Sequence, residues 1–203
     1  MRSAVLAGGA ASRFGGRAKG LELVGGARLL DHVVERVRKA TGADPLLIAN
    51  APEAGQWYPG LEVVADLIPN RGSLGGILTA VAAREGPVLV VAWDMPFVSS
   101  DLLRALVEGS EGYDAFLPAS RGPLGVEPLC AVYGPACEAP IQQSIAEEDL
   151  RTTDFHRAIR AGALPLEQVT KFGEPETLFF NVNEPAQLQV AESMWRKQQA
   201  SAS

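Results

Sequence analysis

The clearest pattern along the chain is the apolar run Val88-Leu89-Val90-Val91-Ala92, preceded by Gly86-Pro87. It is short, rich in β-branched residues and apolar at both alternating positions. Such a run suits a strand at the centre of a parallel sheet covered on both faces. Shorter runs at residues 3–7, 46–48, 61–65 and 113–118 predict four more strands. Between them the apolar spacing changes. Leu29, Leu30, Val33, Val34 and Val37 recur at helical intervals, which predicts a helix over 28–40 stopped by Thr41-Gly42. Residues 73–84 read as a second helix, and Ser100 reads as the cap of a third over 101–108. This alternation predicts an α/β fold, a single Rossmann-like, mostly parallel sheet with helices on both faces. The rhythm changes after Arg121. A long strand is expected over 126–133, with helices over 136–147, 154–161 and 185–199. With neither a repeat nor a linker, residues 1–203 read as one domain.

Composition narrows the class. Hydrophobic residues make up 47% of the 203 and charged residues 21%, values that exclude a disordered or collagen-like chain. No apolar stretch reaches the ~18 residues of a spanning helix. The first residues carry one basic side chain and too short an apolar run for a secretory signal, so a cytoplasmic protein is expected. Two cysteines, Cys130 and Cys137, make no disulfide framework and read as core residues. With only His32 and His156 beside them, a zinc site is disfavoured. The net charge is −6, but residues 1–40 carry +5 and the remainder −11. That imbalance is poor for nucleic acid and good for one small polyanion.

The chemistry begins in the loop from Gly8 to Gly20, which holds five glycines with Ser12, Arg13, Arg17 and Lys19. A loop leaving the first strand of an α/β sheet lies where such sheets bind ligands. Glycines let backbone N–H groups approach phosphate oxygens, and Arg13 and Lys19 add full charges. The loop lacks the Gly-Lys-Ser/Thr ending of a P-loop and the G-x-G-x-x-G spacing of a dinucleotide oxidoreductase. A simple glycine-rich surface loop is the bland reading. Asp94 follows the most buried strand and faces the same crevice. It suits a hard cation such as Mg²⁺, or else it starts the turn before Pro96. Asn50 and Asp66 follow the strands at 46–48 and 61–65; each is a base or ribose contact or a turn residue. The glycines of 72–76 bring backbone near a base or allow tight packing. Asn181 and Asn183 flank a strand-to-helix turn in which Asn183 is placed to cap the last helix, with Pro185 in its first turn.

In this order the motifs resemble those of the nucleotidyltransferases that add a nucleotide to molybdopterin. Leu6-Ala7-Gly8-Gly9-Ala10-Ala11-Ser12-Arg13-Phe14-Gly15-Gly16-Arg17-Ala18-Lys19 is similar to L-A-G-G-x-S-x-R-M-G-x-x-K, with one extra residue before Ser12. Gly72–Gly76 is similar to G-P-L-A/G-G, and Asp94-Met95-Pro96-Phe97 to D-M-P-F. Glu127-Pro128-Leu129-Cys130-Ala131-Val132-Tyr133 resembles x-P-L-x-A-L-Y, and residues 180–185 resemble F-x-N-v-N-T-P. The five matches span residues 4 to about 190.

The resemblance implies a sheet of the nucleotide-diphospho-sugar transferase type, with a nucleotide-binding half (1–120) and an acceptor-binding half (121–197). It implies transfer of GMP from GTP to molybdopterin with Mg²⁺. Gly8-Gly9 matches the guanylyltransferase form of the motif, where the cytidylyltransferases carry Ala-Gly. Leu6, Ala7, Gly8, Gly9, Asn50 and Asp66 would contact the nucleotide. Arg13 and Lys19 would bind phosphates, Asp94 would hold the metal, and Asn181 and Asn183 would lie on the acceptor side. GTP and molybdopterin are the implied substrates, with transient docking to other molybdenum cofactor proteins and no nucleic-acid or membrane partner. Ala18, Phe14, Ser73, Trp93 and Glu184 depart from the pattern, and Trp93 places an indole beside the expected metal ligand. Competing readings are a cytidylyl- or sugar-phosphate nucleotidyltransferase on the same scaffold, a non-catalytic nucleotide-binding protein and, remotely, a nicotinamide oxidoreductase.

Overall fold

The computed structural model describes residues 1–8, 18–83 and 85–202. Gly9 and Arg13 therefore lie outside the described residues, as does Arg84 at the expected end of the second helix. Among the described residues one sheet has seven strands in the order β5-β4-β1-β6-β8-β7-β9. These are β1 (Arg2–Leu6), β4 (Leu46–Ile48), β5 (Val63–Val64), β6 (Val88–Ala92), β7 (Ala115–Pro118), β8 (Cys130–Tyr133) and β9 (Ala161–Leu164). β8 runs antiparallel to both β6 and β7, and the other neighbours are parallel. The mostly parallel α/β sheet expected from the apolar pattern is what forms. β6 is buried along its whole length between β1 and β8, as its uninterrupted apolar run requires.

Two helical layers cover the sheet. On one face lie α1 (Leu29–Thr41) and α4 (Ser100–Gly109), whose Leu30, Val33, Val34, Val37, Leu102, Leu103 and Leu106 share a core with Val5, Leu89 and Val91. On the other lie α3 (Gly72–Ala82) and α5 (Glu138–Ala146), packing Leu74, Ile77, Leu78, Ile141 and Ile145 against Ala4, Val88 and Val90. Alternate residues of β1 and β6 thus feed opposite cores, which is the strand period at work. α1 opens with Asp31 accepting from the Arg28 backbone N–H at 3.2 Å and from its guanidinium. It closes at Gly42, whose φ of +73° is the left-handed conformation of a helix stop.

A two-stranded hairpin, β2 (Leu23–Val24) and β3 (Ala27–Arg28), precedes α1, and the last helix, α8 (Pro185–Ala202), packs beside it. Val24, Leu29, Phe97, Val182 and Ala191 form a small third core there. Short helices α2 (Ala54–Trp57), α6 (Leu166–Val169) and α7 (Pro175–Leu178) fill the connections.

Several expected boundaries move. Ser99, not Ser100, caps α4, its hydroxyl accepting from Asp101 N at 3.2 Å. The strand expected over 126–133 is regular only from Cys130. Before it, Glu127 N bonds back to Pro118 O at 3.0 Å and Val126 makes a single bridge to Ala119. The helix expected over 154–161 is a 3-10 turn at Asp154–Ala158, and residues 161–164 join the sheet edge as β9. Ala161-Gly162-Ala163-Leu164 carries little hydrophobic signal; its backbone pairing with β7 overrides that weak local preference. Cys130 and Cys137 are free and buried, as expected of core residues.

Candidate active site

The parallel strands β4, β1 and β6 end side by side, and their carboxyl ends open on a cleft of about 700 Å³. Leu6, Gly8, Ile48, Ala49, Asn50, Ala92, Trp93 and Asp94 reach it from these strand ends. Asp66, Asn70, Gly72, Ser73 and Gly76 form the wall beyond β5, and Leu129, Asn181 and Asn183 come from the second half of the chain. This is the crevice where open α/β sheets take ligands.

At its centre Asp94 is 6% exposed. It lies just past β6, and its backbone carbonyl accepts from Val182 N at 3.0 Å, which ties the 181–183 segment to the strand end. The ammonium of Lys19 donates to Asp94 Oδ2 and to Asn183 Oδ1, the latter at 3.0 Å. Lys19 thus joins the glycine-rich loop, the end of β6 and the turn before α8 at one point. Asp94 Oδ1 is buried with no hydrogen-bond partner among the described residues, and the same holds for Asn181 Oδ1. The Asn181 side chain donates to Phe179 O at 3.2 Å. Asn183 does not cap α8 with its side chain, because that oxygen is engaged by Lys19. The Gln187 amide oxygen reaches back instead and accepts from the backbone N–H groups of Asn183 and Glu184.

At the other end of the cleft Asn50 and Asp66 bond each other. The Asn50 amide donates to Asp66 Oδ2 at 2.7 Å and its oxygen accepts from Asp66 N at 2.8 Å. The pair fixes both side chains against each other at the cleft wall. Gly75 and Gly76 serve packing: a Cβ at Gly76 would stand 3.3 Å from the Leu6 side chain, and at Gly75 3.0 Å from Arg71 Cβ. Gly72, Ser73 and Gly76 also line the cleft, and the tight packing expected of this motif is present at Gly75 and Gly76. Leu6 and Ala7 are buried, with Ala7 N bonded to Ile48 O at 2.8 Å, and Gly8 is exposed at the opening.

The groups gathered around Lys19 present oxygens, Asp94 Oδ2 and Asn183 Oδ1, and the second Asp94 oxygen is buried with no partner among the described residues. That set suits a hard, oxygen-seeking cation such as Mg²⁺ completed by substrate phosphates. Among the described residues no three acidic, histidine or cysteine side chains cluster as a ready-made metal cage. A site of one carboxylate, one amide and a ligand's phosphates differs from such a cage.

Three features of the site were not drawn from the sequence. Glu127 carries a carboxyl whose pKa is pushed up to about 7 by burial, with the charge of Asp94 adding to the effect. One of its oxygens accepts from Leu129 N at 3.0 Å. It sits in the motif that supplies Leu129, where its charged type amid apolar neighbours was the available signal. Gly20 and Trp57 pack around Trp93, and neither had a local signal beyond residue type.

Fold and cleft define an α/β nucleotidyltransferase. The family model described as MobA-like NTP transferase domain matches residues 3–161. A probable molybdenum cofactor guanylyltransferase of Pelotomaculum thermopropionicum is 36% identical, covering 94% of this chain and 91% of its own. The crystal structure of molybdopterin-guanine dinucleotide biosynthesis protein A from Archaeoglobus fulgidus superposes with a TM-score of 0.81 at 28% identity, over 97% of this chain and 100% of that one. A CMP:2-keto-3-deoxy-manno-octonic acid synthetase shares the fold, with a TM-score of 0.73 at 13% identity and 97% and 98% coverage. The chain belongs to the MobA-like nucleotidyltransferases, and within them to the molybdenum cofactor guanylyltransferases.

Proposed function

We propose that the protein transfers GMP from GTP to the terminal phosphate of molybdopterin, giving the guanine dinucleotide form of the molybdenum cofactor and pyrophosphate. The observation that carries this reading is Lys19 held between Asp94 and Asn183 at the carboxyl end of β6 in a chain of this family. An oxygen of the acceptor phosphate forms the bond to the α-phosphorus of GTP. The bond from that phosphorus to the bridging oxygen breaks, and its electron pair leaves with pyrophosphate. A phosphate monoester is largely ionised at neutral pH, its second pKa being about 6, so no general base is required. The protein's part is alignment and charge compensation.

Lys19, with Arg13 from the preceding loop, binds the phosphates. The backbone of Leu6, Ala7 and Gly8 lies under the nucleotide, which Gly9 also contacts in this reading, and Asn50 and Asp66 hold guanosine at the cleft mouth. Asp94 is the residue for Mg²⁺, with Asn183 a second oxygen donor beside it, and Asn181 faces the acceptor. When bound, Mg²⁺ would supply positive charge to the triphosphate and to the departing pyrophosphate. The division into a nucleotide-binding half, 1–120, and an acceptor-binding half, 121–197, belongs to the same reading. So does a cytoplasmic location; among the described residues no helix is long and apolar enough to cross a membrane.

The test is stoichiometric. With molybdopterin, GTP and Mg²⁺, the wild type should release pyrophosphate and form dinucleotide one for one, and Asp94→Ala should form neither. Guanine dinucleotide formation by Asp94→Ala at the wild-type rate would remove Asp94 from the mechanism.

A further inference from the structure

Trp93 is 4% exposed and sits on the cleft between the end of β6 and the turn that carries Lys19. Its backbone N–H continues the ladder to Leu6 O at 3.1 Å. Its ring lies 5.1 Å from that of Trp57, tilted by 30°. Its other neighbour is Gly20. A Cβ built at Gly20 would stand 2.1 Å from Trp93 Cε3, 2.6 Å from Cδ2 and 2.7 Å from Cζ3, so the indole fills the space a side chain would take. The indole N–H is buried with no acceptor among the described residues.

These contacts fall in register. Gly20 follows Lys19, and Trp93 precedes Asp94. Residues 19 and 20 therefore meet residues 93 and 94 twice: backbone on ring, and ammonium on carboxylate. We propose that Trp93 is a positioning residue, a slab on which the Lys19-Gly20 turn rests and which sets the Lys19 ammonium against Asp94 and Asn183. The inference rests on the reading of Lys19 as a phosphate-binding group. It assigns the role to the ring rather than to the N–H, because the close atoms are Cε3, Cδ2 and Cζ3. Glycine at 20 is then required by the tryptophan at 93, and each of the two substitutions should be felt through the other.

A coupled set of variants tests this: Trp93→Phe, Trp93→Ala, Gly20→Ala and the Gly20→Ala/Trp93→Ala double variant, with Lys19→Ala as the reference. Binding of GTP with Mg²⁺ is measured by titration calorimetry on protein shown to be folded by its thermal transition. Trp93→Ala and Gly20→Ala should each weaken GTP binding roughly tenfold, as expected when a charge-assisted phosphate contact is misplaced. Trp93→Phe, which keeps a ring over Gly20, should stay near wild type. The double variant should lose much less than the product of the single losses, because a small side chain at 93 leaves room for the methyl at 20.

Multiplying losses, or wild-type binding by Trp93→Ala, would overturn the proposal. So would a Trp93→Phe as weak as Trp93→Ala, which would make the N–H the acting group. A purely structural role would lower the thermal transition of Trp93→Ala and leave GTP binding by folded protein unchanged. If Gly20→Ala does not fold, the two single Trp93 variants decide. Unchanged binding by Lys19→Ala would overturn the phosphate reading and this proposal with it; a loss there without one in Trp93→Ala would overturn the positioning role alone.

Discussion

Lys19 donates a 3.0 Å hydrogen bond to Asn183, across 164 positions of sequence, while also pairing with Asp94. The first loop and the last strand-to-helix turn are thereby joined at one ammonium. Breaking that junction should impair the reaction more than the fold. Asn183→Ala is expected to lower turnover by roughly an order of magnitude, the effect of misaligning a charged group at a reacting centre. Its thermal stability should change by less than about 1 kcal/mol, because its side chain holds no core together. Parallel steady-state kinetics and thermal unfolding check this; wild-type turnover would remove Asn183 from the site.

Lys19→Ala removes a partly buried charged donor and leaves the carboxylate of Asp94 without its partner. Turnover or GTP affinity should fall by at least roughly tenfold. Removing the divalent ion with a chelator should abolish turnover reversibly, with Mg²⁺ restoring it. Activity that persists in excess chelator would separate Asp94 from any metal role.

Glu127 makes stability depend on pH in a definite sense. Burial raises its folded-state pKa from 4.5 to about 7, so the folded protein holds a proton that the unfolded chain has lost across that interval. The stabilisation is fully present below about pH 4.5 and is lost as pH rises through about 7. Glu127→Gln cannot titrate and still offers Leu129 N an oxygen. Its thermal transition should therefore gain on the wild type between pH 5 and pH 8. A constant offset across that range would contradict the raised pKa.

His32 acts in the opposite direction. Its ring lies 2.8 Å from Val24 O and 4.6 Å from the Trp195 ring, linking α1 to the hairpin and to α8. Burial lowers its pKa below 6.5, so the stability it contributes is present above that value and is lost as pH falls through the lowered one. His32→Gln should flatten stability below about pH 6.5 relative to the wild type. Thermal melts from pH 7 to pH 5 read the difference.

Cys130 and Cys137 are buried and their thiols are held protonated, Cys130 well above its ordinary value and Cys137 pushed up to about 12 by burial. Replacing either by alanine should cost about 1–2 kcal/mol of stability, the scale of one deleted buried heavy atom, and leave turnover intact. Loss of turnover in a folded variant, read in the same assays, would assign a cysteine to the chemistry.

Much of this architecture was legible because the central elements are strongly periodic. β6 and α1 declared themselves through an unbroken apolar run and a helical stripe, and both lie in the sheet centre or against it. The edge formed by β9 was not legible. β9 has alternating small residues and one buried leucine, so nothing local distinguishes it from a loop until β7 pairs with it. The same holds within the cleft. Lys19, Asp94 and Asn183 could be suspected from motif position. That one ammonium would reach both oxygens follows only from the bond of Val182 N to Asp94 O, which brings the turn before α8 to the end of β6. The side chain of Asn183 could be read as a helix cap or as a site residue, and its oxygen is found on Lys19. Gly20 acquires its meaning from an indole 73 positions away, which no short motif encodes.

Guanylyl transfer to molybdopterin is tested by offering GTP, CTP and ATP separately to the purified protein with molybdopterin and Mg²⁺ and measuring pyrophosphate and dinucleotide product. Product is expected from GTP and none from the other two. Product from CTP in place of GTP would contradict the base assignment. No product from any of the three, with the protein folded and the acceptor intact, would contradict the reaction itself.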